Sequence, residues 1–213
     1  MNKRYDDINK DFTQKDFGKE NVDSNPFRQF NKWINNAINS GIKDPTAMSL
    51  STVGKNLKPS SRIVLLKEIK NNGFIFYTNY NSKKGIQIAE NNYGSLLFFW
   101  AKLEQQIRIE GKIEKVTSET SDKYFQSRNE NRKIGAWASQ QSNEIINRKY
   151  LEEKNKEFER KFAGKTIQRP DNWGGYILYP TIIEFWQGRP NRLHDRIEFF
   201  FDKNIWKIRR LAP

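Results

Sequence analysis

The only histidine of this 213-residue chain, His194, stands in Arg192-Leu193-His194-Asp195-Arg196, shortly after the aromatic run Glu184-Phe185-Trp186-Gln187-Gly188. Guanidinium, imidazole and indole groups crowded into so short a stretch can hold an anionic, aromatic ligand and handle a proton. On an extended segment side chains repeat on one face every second residue, so Arg192, His194 and Arg196 are expected to converge on one ligand. Taken alone, the pattern also describes a solvated basic turn with a stray histidine. The rest of the chain has to decide between the two.

Further groups point to a phosphorylated, flat ligand. Arg62-Ile63-Val64-Leu65-Leu66-Lys67 sets a cation at each end of an apolar strand, a shape suited to a ring with a phosphate tail. Tyr77-Thr78 and Ser82-Lys83-Lys84 add hydroxyls and two lysines at a helix entrance, where backbone N–H groups also favour phosphate. Gln106 and Gln141-Ser142 can meet the carbonyls and ring nitrogens of a heterocycle, and Trp186 offers a flat apolar contact. Each has a plainer role in isolation: a surface lysine pair, a strand-surface glutamine, a turn, a core tryptophan.

Composition excludes several chemistries. With no cysteine the chain has no disulfide, thiolate zinc site or cysteine nucleophile, and with one histidine it has no multi-histidine metal centre, so no metal is expected. The first residues carry no apolar signal stretch, and no segment approaches the ~20 apolar residues of a membrane span, so a soluble, cytoplasmic protein without membrane partners is expected. The net charge of +13 draws anions of any kind. Each bound phosphate carries only about −1.5 to −2, so two such ligands would offset about four of those charges. The remainder reflects a lysine-rich surface. Aromatics at 14% against 36% hydrophobics predict a core rich in rings.

The elements that must position these groups can be read from period and punctuation. Residues 1–25 are polar and read as an arm that is either mobile or ordered by a partner; residues 26–213 read as one domain. Asn25 and Pro26 open a helix whose stripe is Phe27, Phe30, Ile34, Ala37 and Ile38, ending at Gly41. Strands are expected over Ala47–Val53, Arg62–Ile69 and Phe74–Thr78, the last two joined through Asn71-Asn72-Gly73. Ser82 caps a short helix to Glu90, Ser95–Trp100 reads as a buried strand, and Ile107, Ile109, Gly111 and Ile113 alternate along the next. From Ser118 the period is helical through Tyr124, Phe125 and Arg128, and a long charged helix runs from about Glu144 to Phe162. Strands return at Gly175–Tyr179, Ile182–Gln187, Arg196–Phe201 and Ile205–Arg209. Strands at short intervals joined by hairpins predict an antiparallel barrel with helices outside it.

In this order the pieces resemble the pyridoxine/pyridoxamine 5′-phosphate oxidase family, FMN enzymes of vitamin B6 salvage, from about Pro26 to Pro213. The resemblance rests on R-I-V-L-L-K at 62–67, F-Y-T-N at 76–79, I-G-A-W at 134–137, W-G-G at 173–175, I-E-F-W-Q-G at 183–188, R-L-H-D-R at 192–196 and the terminal R-L-A-P. It implies a mainly β fold with flanking helices, an antiparallel Greek-key split β-barrel, and a homodimer holding FMN at the subunit interface. It places FMN contacts on Arg62, Ile63, Val64, Leu65, Leu66, Lys67, Tyr77, Thr78, Lys83, Lys84, Gln106, Gln141, Ser142, Trp186 and Arg196. At Lys83 a lysine replaces the family's common arginine and gives up its planar fork.

Substrate contacts fall, by the same resemblance, on Lys67, Tyr124, Arg128, Arg132 and the stretch Arg192-Leu193-His194, with Arg192 and His194 at the reacting end. Tyr124 and Arg128, four residues apart, would share one helix face and grip a phosphate. Arg132 stands where relatives carry a serine that also meets the substrate phosphate, and two readings stay open for it: the arginine substitutes by charge, or it points outward. Phe12 occupies the position of an arm tyrosine that covers the substrate in the family. The implied activity is oxidation of the phosphorylated B6 vitamers pyridoxine 5′-phosphate and pyridoxamine 5′-phosphate to pyridoxal 5′-phosphate. A hydride passes from C4′ to FMN, and molecular oxygen is the final acceptor, giving hydrogen peroxide. Two alternatives remain open at this point: a related split-barrel flavin oxidase acting on another heterocycle, as in phenazine-forming relatives, and a basic nucleic-acid-binding module. The resemblance argues against nucleic acid as a partner.

Overall fold

A computed structural model describes residues 12, 16–18 and 20–213. Most of the expected arm lies outside the described residues. Among those described, a nine-stranded, mainly antiparallel sheet is accompanied by helices, the class that the strand spacing predicts. Its hydrogen-bonded order is β2-β1-β5-β6-β7-β4-β3, with β8 on β7 and β9 on β8. The ranges are β1 (Ala47–Val53), β2 (Pro59–Leu65), β3 (Glu68–Lys70), β4 (Gly73–Asn79), β5 (Tyr93–Trp100), β6 (Gln105–Lys115), β7 (Trp173–Gln187), β8 (Asp195–Asp202) and β9 (Ile205–Leu211). The chain forms two compact units, one of Ser49–Ser95 and Gly111–Tyr179, the other of the residues up to Met48, Leu96–Glu110 and Pro180–Pro213.

In the first unit the β3–β4 hairpin turns on Asn71 and Asn72, both in the left-handed region (φ 50° and 58°), with Lys70 opposite Gly73. Asparagine tolerates that conformation far better than most side chains, which is why this dipeptide turns the chain. The expected strand Arg62–Ile69 is broken. β2 stops at Leu65 and β3 starts at Glu68, because Ile63 and Leu65 face outward and the chain must change direction to bury Leu66. At the break the Lys67 N–H donates to the Ile75 carbonyl (2.9 Å).

Helix α2 (Lys83–Glu90) begins as expected at Ser82, whose Oγ accepts from the Gly85 N–H. Any side chain at Gly85 would strike the Tyr80 carbonyl, so glycine lets the helix close against the end of β4. The helical stretch from Ser118 is two helices rather than one, α3 (Ser118–Gln126) and α4 (Glu130–Ala138). Asn129 accepts from the Arg132 N–H and starts the second, which leaves Arg128 in the link and off the helix face of Tyr124. Helix α5 (Arg148–Phe162) starts later than expected, where Asn147 caps it, and its Phe158 and Phe162 rings pack on Trp137.

In the second unit α1 (Pro26–Asn39) is capped by Asn25, which accepts from the N–H groups of Phe27 and Arg28. Its stripe buries Phe27, Phe30, Ile34 and Ala37, but Ile38 is half exposed; Trp33 takes the buried place and packs on Phe185 and Phe17. The β5 run alternates, with Phe98 and Trp100 buried and Phe99 turned out. β8 and β9 form a hairpin through Lys203 and Asn204, both left-handed.

The two strands expected at Gly175–Tyr179 and Ile182–Gln187 are one strand, β7. Leu178 is its last residue paired with β4 and Ile182 its first paired with β8, so Pro180 lies where partners change and its missing N–H removes a bond from neither pairing.

Candidate active site

In the first unit a cavity of about 690 Å³ is lined by Arg62, Ile63, Val64, Leu65, Lys67, Tyr77, Thr78, Lys84, Tyr124, Arg128, Arg132 and Gln141, together with Trp173. That size suits a cofactor or small substrate. Five of the described lining residues are cations and none is a carboxylate, so the cavity selects anions.

Arg62, on β2, is fixed by its own surroundings. Its Nη1 donates to the Leu50 carbonyl (3.0 Å), Thr52 Oγ1 (2.7 Å) and the Ser60 carbonyl (2.9 Å), and its Nη2 donates to Ser60 Oγ (2.6 Å). Gln87 on α2 closes the network, its Oε1 accepting from Thr52 and Ser60 (2.7 Å each). Lys84 sits at the first turn of α2 and donates to Gln141 Oε1 (2.8 Å), Thr78 Oγ1 (3.2 Å) and Ser82 Oγ (3.2 Å). Burial, and then the Arg62 charge, push its ammonium down to about 8. These partners are all neutral, so the cation has no counter-charge among its hydrogen-bond partners in the described residues.

Across the cavity Tyr77, Tyr124 and Trp173 form a stacked aromatic wall, with Tyr77 and Tyr124 3.8 Å apart and nearly parallel. The Arg128 guanidinium lies 4.6 Å over the Trp173 ring, and its Nη1 is buried with no hydrogen-bond partner among the described residues. Burial holds Arg128 and Lys67 below their ordinary values, and the Arg132 charge pushes both further in the same direction. Clustered cations that repel one another favour a bound anion. Tyr124 and Arg128 both line the cavity, but a helix break and not the expected helix face places them there. Leu66 is buried outside the lining, and Lys83 and Ser142 are exposed and also outside it.

Gln106, Trp186, Arg192, Leu193, His194 and Arg196 belong to the other unit. Arg192 is not on a strand: it ends a 3₁₀ turn, Pro190–Arg192, and both Asn191 and Arg192 are left-handed (φ 58° and 59°). β8 starts only at Asp195, so the expected alternation on one strand face does not describe this segment; Pro190 initiates a turn instead. The His194 ring lies 4.7 Å from Trp186, and Phe12 stands edge-on to both. Leu193 is exposed. Gln106 is partly buried on β6.

Arg196 is clamped by Glu184, which accepts from its Nε (3.1 Å) and Nη2 (2.8 Å), while Nη1 donates to the Ala212 carbonyl (2.8 Å). Arg108 holds the same carboxylate at 2.7 Å. Burial pushes Glu184 up, but the two arginines outweigh it and the carboxyl is lowered. Sequence reasoning singled out neither Trp173, which lines the cavity, nor Gln87, Glu184 and Arg108, which hold Arg62 and Arg196 in place; the signals were a glutamate inside an otherwise apolar strand run and the indole of the W-G-G motif.

Residues 34–161 match the family described as Pyridoxamine 5′-phosphate oxidase, and residues 173–213 match Pyridoxine 5′-phosphate oxidase C-terminal dimerisation region. Proteins named pyridoxine/pyridoxamine 5′-phosphate oxidase are similar throughout. That of Nostoc punctiforme is 48% identical over 214 residues, covering 100% of each chain, and that of a Cyanothece species is 46% identical over 207 residues, covering 97% of each. Among solved structures, PhzG from Burkholderia lata in complex with tetrahydrophenazine-1-carboxylic acid is 30% identical with a TM-score of 0.86, covering 91% of this chain and 95% of that one. A pyridoxamine 5′-phosphate oxidase-related, FMN binding protein from Nostoc punctiforme shares the fold at 16% identity and a TM-score of 0.70, covering 89% and 98%. With the expected split-barrel fold and matches that run the length of the sequence, the chain belongs to the pyridoxine/pyridoxamine 5′-phosphate oxidase family of oxidoreductases.

Proposed function

We propose that the chain oxidises pyridoxine 5′-phosphate and pyridoxamine 5′-phosphate to pyridoxal 5′-phosphate, with FMN supplying the hydride acceptor for C4′ and molecular oxygen as final acceptor, released as hydrogen peroxide; for the amine substrate, water supplies the aldehyde oxygen and the nitrogen leaves as ammonia. The observation that carries this reading is the buried Nη1 of Arg128, unpartnered among the described residues, in a cavity whose described lining holds five cations and no carboxylate. Such a group is costly unless an anion completes it.

The donor set divides naturally between two phosphates. Arg62 and Lys84, with Thr78 beside them, would hold the phosphate of FMN. Lys67, Tyr124, Arg128 and Arg132 would hold that of the substrate. Tyr77 is pushed up to about 12, chiefly by burial, so its phenol stays neutral. Arg192 and His194 would orient the reacting end of the substrate ring, with Trp186 and Arg196 serving the cofactor. A homodimer with FMN between subunits completes the proposal, since a C-terminal dimerisation region matches residues 173–213.

The purified protein is expected to be yellow or to become so with added FMN. Pyridoxine 5′-phosphate without oxygen should bleach the flavin absorbance, and air should restore it with release of peroxide. A protein that takes up no FMN contradicts the reading. The similarity to PhzG favours a second reading, a flavin oxidase of an unphosphorylated heterocycle. That enzyme would show no preference for a phosphorylated substrate.

Lys84 gives FMN binding a defined pH dependence. Its value in the free protein, about 8, lies below the ordinary 10.5, and the protonated form is the one that attracts phosphate. Binding the anion raises that value, so binding takes up a proton and weakens as pH rises. Flavin-fluorescence titration should show affinity falling by up to roughly ten-fold per pH unit above pH 8. Lys84→Met should bind more weakly with a flat profile over the same range.

A further inference from the structure

We infer that His194 acts as a hydrogen-bond donor through Nε2 and not as a proton acceptor, because the backbone amide of Arg189 claims its Nδ1. What this donor meets rests on the oxidase reading above; the state of the ring does not. The Arg189 N–H donates to His194 Nδ1 at 3.1 Å. An amide N–H can only donate, so Nδ1 keeps its lone pair. A neutral imidazole carries one ring proton, which therefore resides on Nε2. To accept a proton the ring would have to take it at Nδ1, against the amide hydrogen, and lose this bond.

The turn that creates the contact is built into the chain. Gly188 N–H bonds to the Glu104 carbonyl (2.8 Å), Leu193 N–H to the Pro190 carbonyl (3.2 Å), and the two left-handed residues Asn191 and Arg192 bring residue 194 back to the amide of residue 189. The surroundings favour the neutral ring. Trp186 and Phe12 flank it, and Arg192 adds a like charge.

The carboxylates around this turn are engaged elsewhere: Asp16 pairs with the Arg189 guanidinium, and Asp195 with Arg189 (3.6 Å) and Arg210 (2.5 Å). Among the described residues none of them bonds to the imidazole. Burial and Arg192 hold His194 below its ordinary value, which accords with the geometry.

With a single histidine in the chain, ¹⁵N-histidine labelling reports this ring alone. Two-bond ¹H–¹⁵N spectra of the wild-type protein above pH 6.5 are expected to show a pyridine-like Nδ1 and a pyrrole-like Nε2. The opposite tautomer, or an even mixture, overturns the inference. The second arm compares His194→Gln with His194→Asn. Glutamine can place an amide N–H near the Nε2 position, asparagine near Nδ1 only, and neither takes up a proton.

For a donor, kcat/KM of His194→Gln should exceed that of His194→Asn by about ten-fold, the ratio one neutral hydrogen bond supports. Equal loss in both variants overturns the donor role. If the oxidase reading itself is wrong, the wild-type protein takes up no flavin and oxidises no vitamer, while the spectra still decide the tautomer.

Discussion

Arg128→Ala is expected to raise KM for pyridoxine 5′-phosphate by on the order of a hundred-fold, with FMN still bound. A charge-assisted hydrogen bond is worth about 1.5–3 kcal/mol, which is ten- to more than hundred-fold in affinity, and Arg128 carries a buried donor that no described residue satisfies. Arg128 also lies on the Trp173 face, so part of the loss could come from packing. Two controls separate these effects. Arg128→Met keeps an apolar stem over the indole and should lose as much phosphate affinity as alanine, whereas Arg128→Lys keeps the charge without the planar fork and should recover part of it. Turnover of dephosphorylated pyridoxine should change little in all three. Equal losses on both substrates would show that Arg128 only shapes the wall.

The parts of the fold legible in the sequence were those set by neighbouring residues. Asn25 and Ser82 cap helices because a side-chain oxygen two or three positions from an N–H needs no knowledge of the rest of the chain. Asn71-Asn72 turns a hairpin for the same reason. The departures depend either on distant partners or on local signals that outweigh the periodicity. β2 breaks before Leu66 because the interior lies on one side, α3 stops short of Arg128 because Asn129 offers a better start to α4, and β7 runs through Pro180 because two different strands flank it there. The segment at 190–192 turns where an alternating strand was expected, because Pro190 and two left-handed residues outweigh the spacing.

In the candidate site the cations were visible as residue types, since charge needs no structure to be counted. Their supports were not. Gln87 reads as an ordinary helix glutamine until Thr52, Ser60 and Arg62 are seen to converge on it. Glu184 likewise reads as a polar interruption until Arg108 and Arg196 close on it. Buried polar groups are chosen by the need to satisfy one another, and that need appears only when strands far apart in sequence are paired.

Arg62→Ala is expected to do two kinds of damage at once. The substitution strips donors from the Leu50 carbonyl and from Thr52, which is almost fully buried, and loosens Gln87 between β2 and α2. Each buried group left unsatisfied costs about 1–3 kcal/mol, so stability should fall by about 3 kcal/mol, equivalent to roughly 6–12 °C in Tm for a chain of this length. FMN affinity should fall by on the order of a hundred-fold, since one phosphate contact is gone and the helix carrying Lys84 has lost its anchor.

Lys84 supplies an internal reporter of which loss is which. After burial, the Arg62 charge helps hold the lysine down to about 8, so removing it should raise that value and move the decline of residual FMN binding to higher pH. Arg62→Lys keeps the charge and loses the fork that reaches Leu50, Thr52 and Ser60 together. It should therefore melt earlier than the wild type while its binding still declines from about pH 8. If both variants show the same midpoint in pH, Arg62 acts on Lys84 through packing alone and the electrostatic coupling is wrong.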